Sequence, residues 1–347
     1  MDASKVTIEQ ICKEWLNMKR LIVKQSTYAK YDSVVRKHIL PELGQIPLCR
    51  VNSSMLNDYA GAKLGREQAI EKDQTEKEHG GMSAKTVRDI CTILKSIIRY
   101  GEKEYQMSGL VGNIVLPKVT AKSKDVLKGA ELKKIEKYLR ENQNTPRCAG
   151  ILLCLYTGIR LGEVCALKWE DIDLNRRILS ITHTTQRITI PEDGKVHDRK
   201  TAVITDHPKS FSSERIIPIP ASIYPLIRNL YCGTGNDCYF LTNSKRGIEP
   251  RNYQYFFKKV LRTAGIRAVK FHVLRHTFAS RCVEIGMDIK TLSEILGHAN
   301  ISITLNYYVH SSLDLKTRQI NRLKYKLLLC CFIQLRIYSI CSSSEIA

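Results

Sequence analysis

Apolar residues recur at helical spacing through the first third of the chain. From Thr7 onward, Ile8, Ile11, Trp15 and Leu16 fall near one face, which predicts an amphipathic helix. Ser26 reads as the N-cap of a second helix carrying Tyr28, Tyr31, Val34, Val35 and Ile39, with Pro41 as its stop and Leu43-Gly44 and Pro47 as a turn. Val51-Asn52-Ser53 caps a short third helix holding Met55, Leu56 and Tyr59. The stretch from Gly65 to Gly81 is charged and nearly free of apolar residues, so a solvated loop or helix extension is expected there. Ser83 caps a fourth helix in which Val87, Ile90, Cys91, Leu94, Ile97, Ile98 and Tyr105 repeat at helical spacing. Residues 1–115 are therefore expected to form a small all-helical unit.

Pro117, Lys118, Lys122, Ser123 and Lys124 predict an extended basic linker at 116–125. Beyond it a helix opens at Gly129 and runs through Leu139, a buried helix covers Arg147 to Tyr156 and ends at Thr157-Gly158, and another begins near Gly162. Trp169 to Leu174 leads into a turn. The period then changes to two: Ile178 to Thr182, Ala202 to Thr205 and Arg215 to Pro218 read as strands, with Asp193-Gly194 as a hairpin signal between the first two. From Ser222 the pattern is helical again, apart from Tyr239-Phe240-Leu241. The expected class is mainly α with a small antiparallel β-sheet (α+β), and the second unit spans 126–322. Residues 323–347 form an apolar tail around Leu327 to Ile333 and Ser342-Ser343-Ser344.

Length and composition agree with two domains and a tail, since 347 residues with 43% hydrophobic content are enough for two cores. Charge adds more. A formal net charge of +21 and a pI near 9.5 favour a polyanionic partner, nucleic acid before an anionic membrane; the plain alternative is a basic soluble protein. The 12 cysteines include no CxxC pair and no Cys/His metal spacing, and many sit in apolar runs such as Ile151-Leu152-Leu153-Cys154-Leu155. They read as reduced core residues of an intracellular protein. The N-terminus is no signal peptide, and the run Leu327 to Ile333 is too short to cross a bilayer, so a cytoplasmic location without membrane contact is expected.

The candidate chemistry is concentrated in a few stretches. Phe271 to Ser280 packs His272, Arg275 and His276 among apolar residues; Leu296-Gly297-His298 follows, then the pair Tyr307-Tyr308; far upstream stands Thr157-Gly158-Ile159-Arg160-Leu161-Gly162-Glu163. Arg160, at a helix junction, suits a phosphate fork, and Arg275 lies three residues after His272 on one helical face. Two arginines would neutralise charge growing on a pentacoordinate phosphorus. Lys209, in the polar turn His207 to Arg215, is placed to protonate a leaving oxygen. Taken singly, each of these cations reads as a solvated or salt-bridged residue. The histidines lack the carboxylate or cysteine that would complete a metal site, and HxxRH is not HExxH, so phosphate hydrogen bonding fits better; His276 is expected to face the core or a neighbour. A tyrosine with a pKa near 10 needs cations and a base around it to act as nucleophile.

These stretches resemble the tyrosine recombinase (phage integrase) family. Thr157 to Glu163 is similar to its first-arginine motif, Pro208-Lys209-Ser210 with Ser212 to Pro218 to its lysine hairpin, and His272-Val273-Leu274-Arg275-His276-Thr277-Phe278-Ala279 to its HxxR motif. Leu296-Gly297-His298 and Thr304 to His310 resemble its histidine and tyrosine motifs, and the resemblance covers about residues 5–322. It implies an N-terminal SAM-like helical core-binding domain and a C-terminal catalytic domain. It further implies that Arg160, His272, Arg275 and His298 hold the scissile phosphate, that Lys209 is general acid to the 5′-hydroxyl, that Glu163 supports Arg160, and that Tyr308 forms a 3′-phosphotyrosyl link. The family spacing admits Tyr307 or Tyr308; the Tyr308-Val309-His310 form favours Tyr308.

The expected activity is site-specific recombination of duplex DNA without metal, ATP or cofactor, as the integrase of a phage or integrative mobile element. A homotetramer on DNA is expected, with a monomer or dimer when free and a directionality factor among the candidate partners. An Xer-like resolvase or a DNA invertase shares the motifs. Readings of another class are a type IB topoisomerase-like enzyme and a catalytically decayed DNA-binding protein. Little chain precedes the first helix, so no separate arm-binding domain and a simple recombination site are expected. The apolar tail is unlike the family's usual ending.

Overall fold

The computed structural model describes residues 5–65, 81–110, 112, 114–119, 125–190, 201–207, 214–231, 233, 235–308, 317, 320 and 321. The chain divides into two compact units: Met1–Ser123 with Arg187–Ala202, and Lys124–Gln186 with Val203–Ala347. The charged stretch inside Gly65–Gly81, residues 120–124 of the basic linker, Asp193-Gly194, Lys209 and the apolar tail lie outside the described residues.

The first unit is built of α1 (Ile8–Ile22), α2 (Gln25–Val34), α3 (Leu40–Leu43), α4 (Ser53–Leu64) and α5 (Ala84–Glu104). Its helix starts are written in side chains. Thr7, Asn52 and Ser83 each accept the backbone N–H three residues on, capping α1, α4 and α5 as their positions predict. Further N–H groups of the first turn of α1 are met by the loop after α3, with Ile8 donating to the Ile46 carbonyl at 3.0 Å and Glu9 to that of Gly44 at 2.9 Å. The core joins Ile8, Ile11 and Trp15 to Val35, Ile39, Leu48, Leu56 and the Ile90, Leu94, Ile97 and Ile98 face of α5.

Two expectations fail in this unit. The second helix begins one turn's edge earlier than Ser26: Lys24 is its N-cap, and its carbonyl accepts from Thr27 and Tyr28 while no side chain caps the end. Pro41 does not stop the helix. A π-helical turn, Val35–Ile39, precedes it, and Leu40 donates to the Val35 carbonyl five residues back. Pro41 then enters in the first turn of α3, where a missing N–H costs little, and the helix runs on to Gly44. Tyr59 donates to the His38 carbonyl in that widened turn at 2.6 Å.

From Lys124 onward the chain forms α6 (Gly129–Glu141), α7 (Pro146–Thr157), α8 (Leu161–Ala166), β1 (Ile172–Asp173), β2 (Ile178–Ile181), β3 (Thr184–Thr189), β4 (Thr201–Asp206), β5 (Arg215–Pro218), α9 (Tyr224–Leu230), α10 (Pro250–Thr263), α11 (Val273–Glu284), α12 (Ile289–Leu296) and α13 (Ile301–Tyr308), all in the second unit except Arg187–Thr189 of β3 and Thr201-Ala202 of β4. Helix α7 is the centre of its core: every residue from Cys148 to Leu155 is buried, and α11 packs along it. Tyr253 is fully buried, its hydroxyl satisfied by the Arg147 carbonyl at 2.7 Å.

The expected single sheet is two. β2 pairs antiparallel with β1 and β5, with Ile178 opposite Pro218 and Ile181 opposite Arg215, while β4 pairs with β3. β1 is too short to carry a pattern. β3 escaped because its buried positions, Thr185 and Ile188, are three residues apart, so no period of two marks it. Seven of the eight described cysteines are buried, and burial pushes the Cys12 thiol up to about 12, as suits inert core thiols.

Ile97 is 1% exposed in α5. Ile97→Ala should destabilise the first unit by about 2–5 kcal/mol. Urea unfolding followed by circular dichroism measures this, and a loss below about 1 kcal/mol would contradict the packing given to α5.

Candidate active site

The junction of α7 and α8 is shaped by its sequence. Thr157 is buried and donates its hydroxyl to the Leu153 carbonyl, inside the helix. Gly158 ends α7 at φ +68°, and a Cβ there would stand 2.5 Å from Phe278, so both the left-handed backbone and the close packing require glycine. Ile159 is buried beyond it, and the turn delivers Arg160 to the N-cap of α8 with Glu163 three residues on.

Glu163 is 3% exposed, and its carboxylate accepts four hydrogen bonds. Oε2 takes the Arg160 backbone N–H at 2.7 Å and Arg215 Nη2 at 2.8 Å; Oε1 takes Arg160 Nη1 at 2.7 Å and Arg215 Nη1 at 3.1 Å. Burial alone would raise this carboxyl, but the Arg215 hydrogen bonds and charge, with the Arg160 charge, outweigh it and bring it down to about 2. Glu163 is therefore an anion at every physiological pH, and its role is electrostatic and positional.

The last turn of α12 gathers the cations. Ile295, Leu296 and Gly297 present successive carbonyls, and each accepts from a different arginine: Arg215 Nε at 2.6 Å, Arg275 Nη2 at 2.7 Å and Arg160 Nη2 at 3.0 Å. Arg275 is buried and also donates through Nη1 to the Gly158 carbonyl at 2.9 Å. Its Nη2 lies 2.8 Å from His298 Nε2. A guanidinium only donates, so Nε2 is the acceptor, and His298 stands here as the neutral Nδ1–H tautomer. Nδ1 then donates to Thr304 Oγ1 at 2.8 Å, and Thr304 is fully buried in α13.

Of the six residues expected to carry the chemistry, the fold brings Arg160, Arg275 and His298 together. His272 is the exposed N-cap residue of α11, three before Arg275, and its ring meets the half-buried His276 edge-to-face at 4.5 Å. Tyr308 is the last residue of α13, one helical turn beyond Thr304. Lys209 lies outside the described residues. Reading the sequence missed Arg215. The signal was there: Arg215 shares strand parity with the buried Ile217 and Ile219, and a charge at an inward position needs a buried partner.

A separate groove of about 550 Å³ lies along α10, where the apolar Leu261, Ile266 and Ala268 line it together with Tyr255, Lys258, Lys259 and Arg262. It lies outside the arginine cluster, and no acid lines it. Among the described residues no group of His, Cys, Asp and Glu is arranged to hold a metal ion, and no helix is long and apolar enough to cross a membrane.

Arginines and a histidine converge here from α8, α11 and the turn after α12, a concentration of cations of the kind that suits an anionic group. The comparison with known proteins makes the class definite. The model of the Phage integrase family matches residues 125–314, and that of the Phage integrase, N-terminal SAM-like domain matches residues 7–59. The chain belongs to the phage integrase family of tyrosine recombinases, and it is a site-specific recombinase that cleaves and rejoins DNA. It is 29% identical over 347 residues to a tyrosine recombinase XerC-like protein of Caldanaerobacter subterraneus subsp. tengcongensis, covering 93% of this chain and 84% of that one. It is 25% identical over 242 residues to the transposase from transposon Tn916 of Enterococcus faecalis, covering 65% of this chain and 56% of the transposase. Among solved structures, the Tn1549 transposon integrase with transposon right end DNA shares the fold at a TM-score of 0.72 and 22% identity, covering 92% of this chain and 100% of that one. A lambda integrase tetramer bound to a Holliday junction shares it at a TM-score of 0.61 and 16% identity, covering 90% and 80%.

The Glu163 carboxyl binds fewer protons folded than unfolded between its usual value of 4.5 and about 2. Its contribution to stability is thus present above that window and lost as pH falls through it. Glu163→Gln should be less stable than the parent at neutral pH, yet lose less on acidification. Urea unfolding at several pH values from about 6 to about 3 measures both slopes, and parallel slopes would remove Glu163 as a source of acid sensitivity.

Proposed function

We propose that Arg160, Arg275, His298 and His272 hold the scissile phosphate of duplex DNA, that Tyr308 is the nucleophile and that Lys209 is the general acid. The observation that carries this reading is the convergence of Arg160, Arg275 and His298 on the last turn of α12, with His298 tied through Thr304 to the helix that ends at Tyr308. Oη of Tyr308 attacks phosphorus as its proton passes to solvent water. The bond from phosphorus to the 5′-oxygen breaks, and Lys209 supplies the proton that makes the leaving group a 5′-hydroxyl. The 3′-phosphotyrosyl ester keeps the energy of the broken bond, so attack by a 5′-hydroxyl of a partner strand reseals the backbone. The cations offset the charge that grows on the equatorial oxygens as phosphorus becomes pentacoordinate.

We assign residues 1–115 to binding the core of the recombination site, 116–125 to the linker, 126–322 to the chemistry and 323–347 to an atypical tail. The net charge of +21 and the basic groove on α10 support a long duplex footprint. The element served is a phage or an integrative mobile element, a reading supported by the likeness to the Tn916 transposase and the Tn1549 integrase fold. A homotetramer on paired sites, assembled from monomers or dimers, is the working form; the lambda integrase of like fold is a tetramer on a Holliday junction. A directionality factor would bias the reaction, and the site of action is the cytoplasm.

Tyr308→Phe should abolish the covalent protein–DNA adduct while Tyr307→Phe keeps it. A nicked suicide duplex resolved on a denaturing gel distinguishes the two, and an adduct from Tyr308→Phe with none from Tyr307→Phe would move the nucleophile to Tyr307. Duplex binding should also weaken about a thousandfold or more between 50 and 200 mM salt if six or more phosphates are contacted. A flat salt titration in a filter-binding assay would contradict an electrostatic footprint of that size.

A further inference from the structure

We propose that Arg215 is a positioning residue for Arg160: it holds the Glu163 carboxylate so that Glu163 braces Arg160 at one nitrogen without capturing it, which leaves the outer edge of Arg160 for the phosphate. The inference rests on the reading of Arg160 as a phosphate ligand. Arg215 itself is committed to protein partners, its Nε to the Ile295 carbonyl and both Nη atoms to Glu163, while the side chain of Arg160 is 34% exposed.

A carboxylate offers about four acceptor sites. At Glu163 two are filled by the Arg215 fork, one by the Arg160 backbone and one by Arg160 Nη1. Arg160 is thus joined to the carboxylate by one side-chain bond, and its Nη2 is drawn instead to the Gly297 carbonyl at 3.0 Å. Take the fork away and two acceptor sites open beside a guanidinium whose best partner geometry is bidentate. Glu163 would then turn onto Arg160 and take both of its nitrogens. Its whole negative charge would also fall on Arg160, whereas with Arg215 present the two arginines and one carboxylate leave one net positive charge at the site.

Arg215 acts on the other anchor of Arg160 as well. Its Nε donates to Ile295, two residues before Gly297, and a Cβ at Gly297 would stand 3.0 Å from Arg215 Cδ. The Arg215 stem therefore sets the height of the turn whose carbonyl holds Arg160 Nη2. The contacts close a ring: Arg215 to Glu163, Glu163 to Arg160, Arg160 to Gly297, and back along the turn through Ile295 to Arg215. One side chain, fixed on β5 opposite Ile181, controls both bonds that aim Arg160.

The test uses the full-length chain and a nicked suicide duplex carrying its recombination site, taken from the DNA flanking its gene. Duplex affinity and single-turnover adduct formation are measured for the parent, Arg160→Ala, Arg215→Met, Arg215→Lys, Glu163→Gln and the double variant Arg215→Met with Glu163→Gln. Arg215→Met is expected to bind duplex within a few-fold of the parent but form adduct about 100-fold more slowly, a loss confined to the chemical step. The double variant is expected to be at least about tenfold faster than Arg215→Met alone, because a neutral amide does not capture Arg160. A residue needed only for packing would give no such rescue, so a double variant no faster than Arg215→Met overturns the proposal, as does an Arg215→Met variant that cleaves at the parental rate. Should Arg215→Met not fold by circular dichroism, Arg215→Lys with and without Glu163→Gln is read in the same way. Absence of adduct from the parent, or full activity in Arg160→Ala, would instead remove the phosphate-binding reading itself.

Discussion

A buried carboxylate with every acceptor site filled underlies the catalytic unit. Removing a charge from water costs several kcal/mol unless close partners replace the lost hydration. Glu163 meets that condition with two guanidiniums and one backbone N–H. In doing so it joins three pieces of chain that are distant in sequence: the start of α8, the start of β5 and, through the arginines, the last turn of α12. It also solves an electrostatic problem. Arg160, Arg215 and Arg275 lie near one short turn, and cations at that density repel one another. One anion among them holds the group together and still leaves the cluster positive, which is what an incoming phosphate requires.

The second constraint is the end of α12. The final carbonyls of any helix lack partners within the helix and carry its negative pole. At most helix ends water or a glycine-based turn satisfies them. Here Ile295, Leu296 and Gly297 each receive an arginine, and Gly297 sits at φ +64°, where the chain can turn away at once into His298. The guanidiniums thereby satisfy backbone groups and are themselves held in place. On the proposed reading of this cluster, a phosphate would meet cations whose rotamers are already set, with little ordering left to oppose binding or the rise of charge in the transition state.

The sequence discloses these arrangements unevenly, for physical reasons. Helices are legible where a local rule suffices: Thr7, Asn52 and Ser83 cap as their residue types demand, and the apolar face of α5 repeats over the length of the helix. Pro41 misleads because its effect depends on a π turn that only tertiary packing stabilises. β3 is hidden because its buried positions break the two-residue period. In the site, Arg160, Arg275 and His298 stand in motifs whose order is visible in one dimension. Arg215 lies in the lysine-hairpin stretch, but nothing local marks it as a site residue, because its partners, Glu163 and Ile295, lie 52 and 80 residues away and only the fold brings them to it.

His298 shows what the resting geometry demands of the reaction. Its Nε2 accepts from Arg275, so the nitrogen that would address a phosphate oxygen is occupied as an acceptor and carries no proton. For His298 to donate to the phosphate it must either gain a proton at Nε2 or exchange its Nδ1 proton to the other nitrogen, and Arg275 must turn that N–H outward. A bound anion would offer Arg275 Nη2 a stronger acceptor than an imidazole. The cost of changing the tautomer also falls on Thr304, whose hydroxyl accepts from Nδ1 at present and accepts equally from an imidazolium. The imidazolium route keeps that bond, whereas the exchanged neutral tautomer would require the Thr304 hydroxyl to reverse. Because Thr304 is fully buried in the helix that ends at Tyr308, the route that leaves it undisturbed also leaves that helix in place.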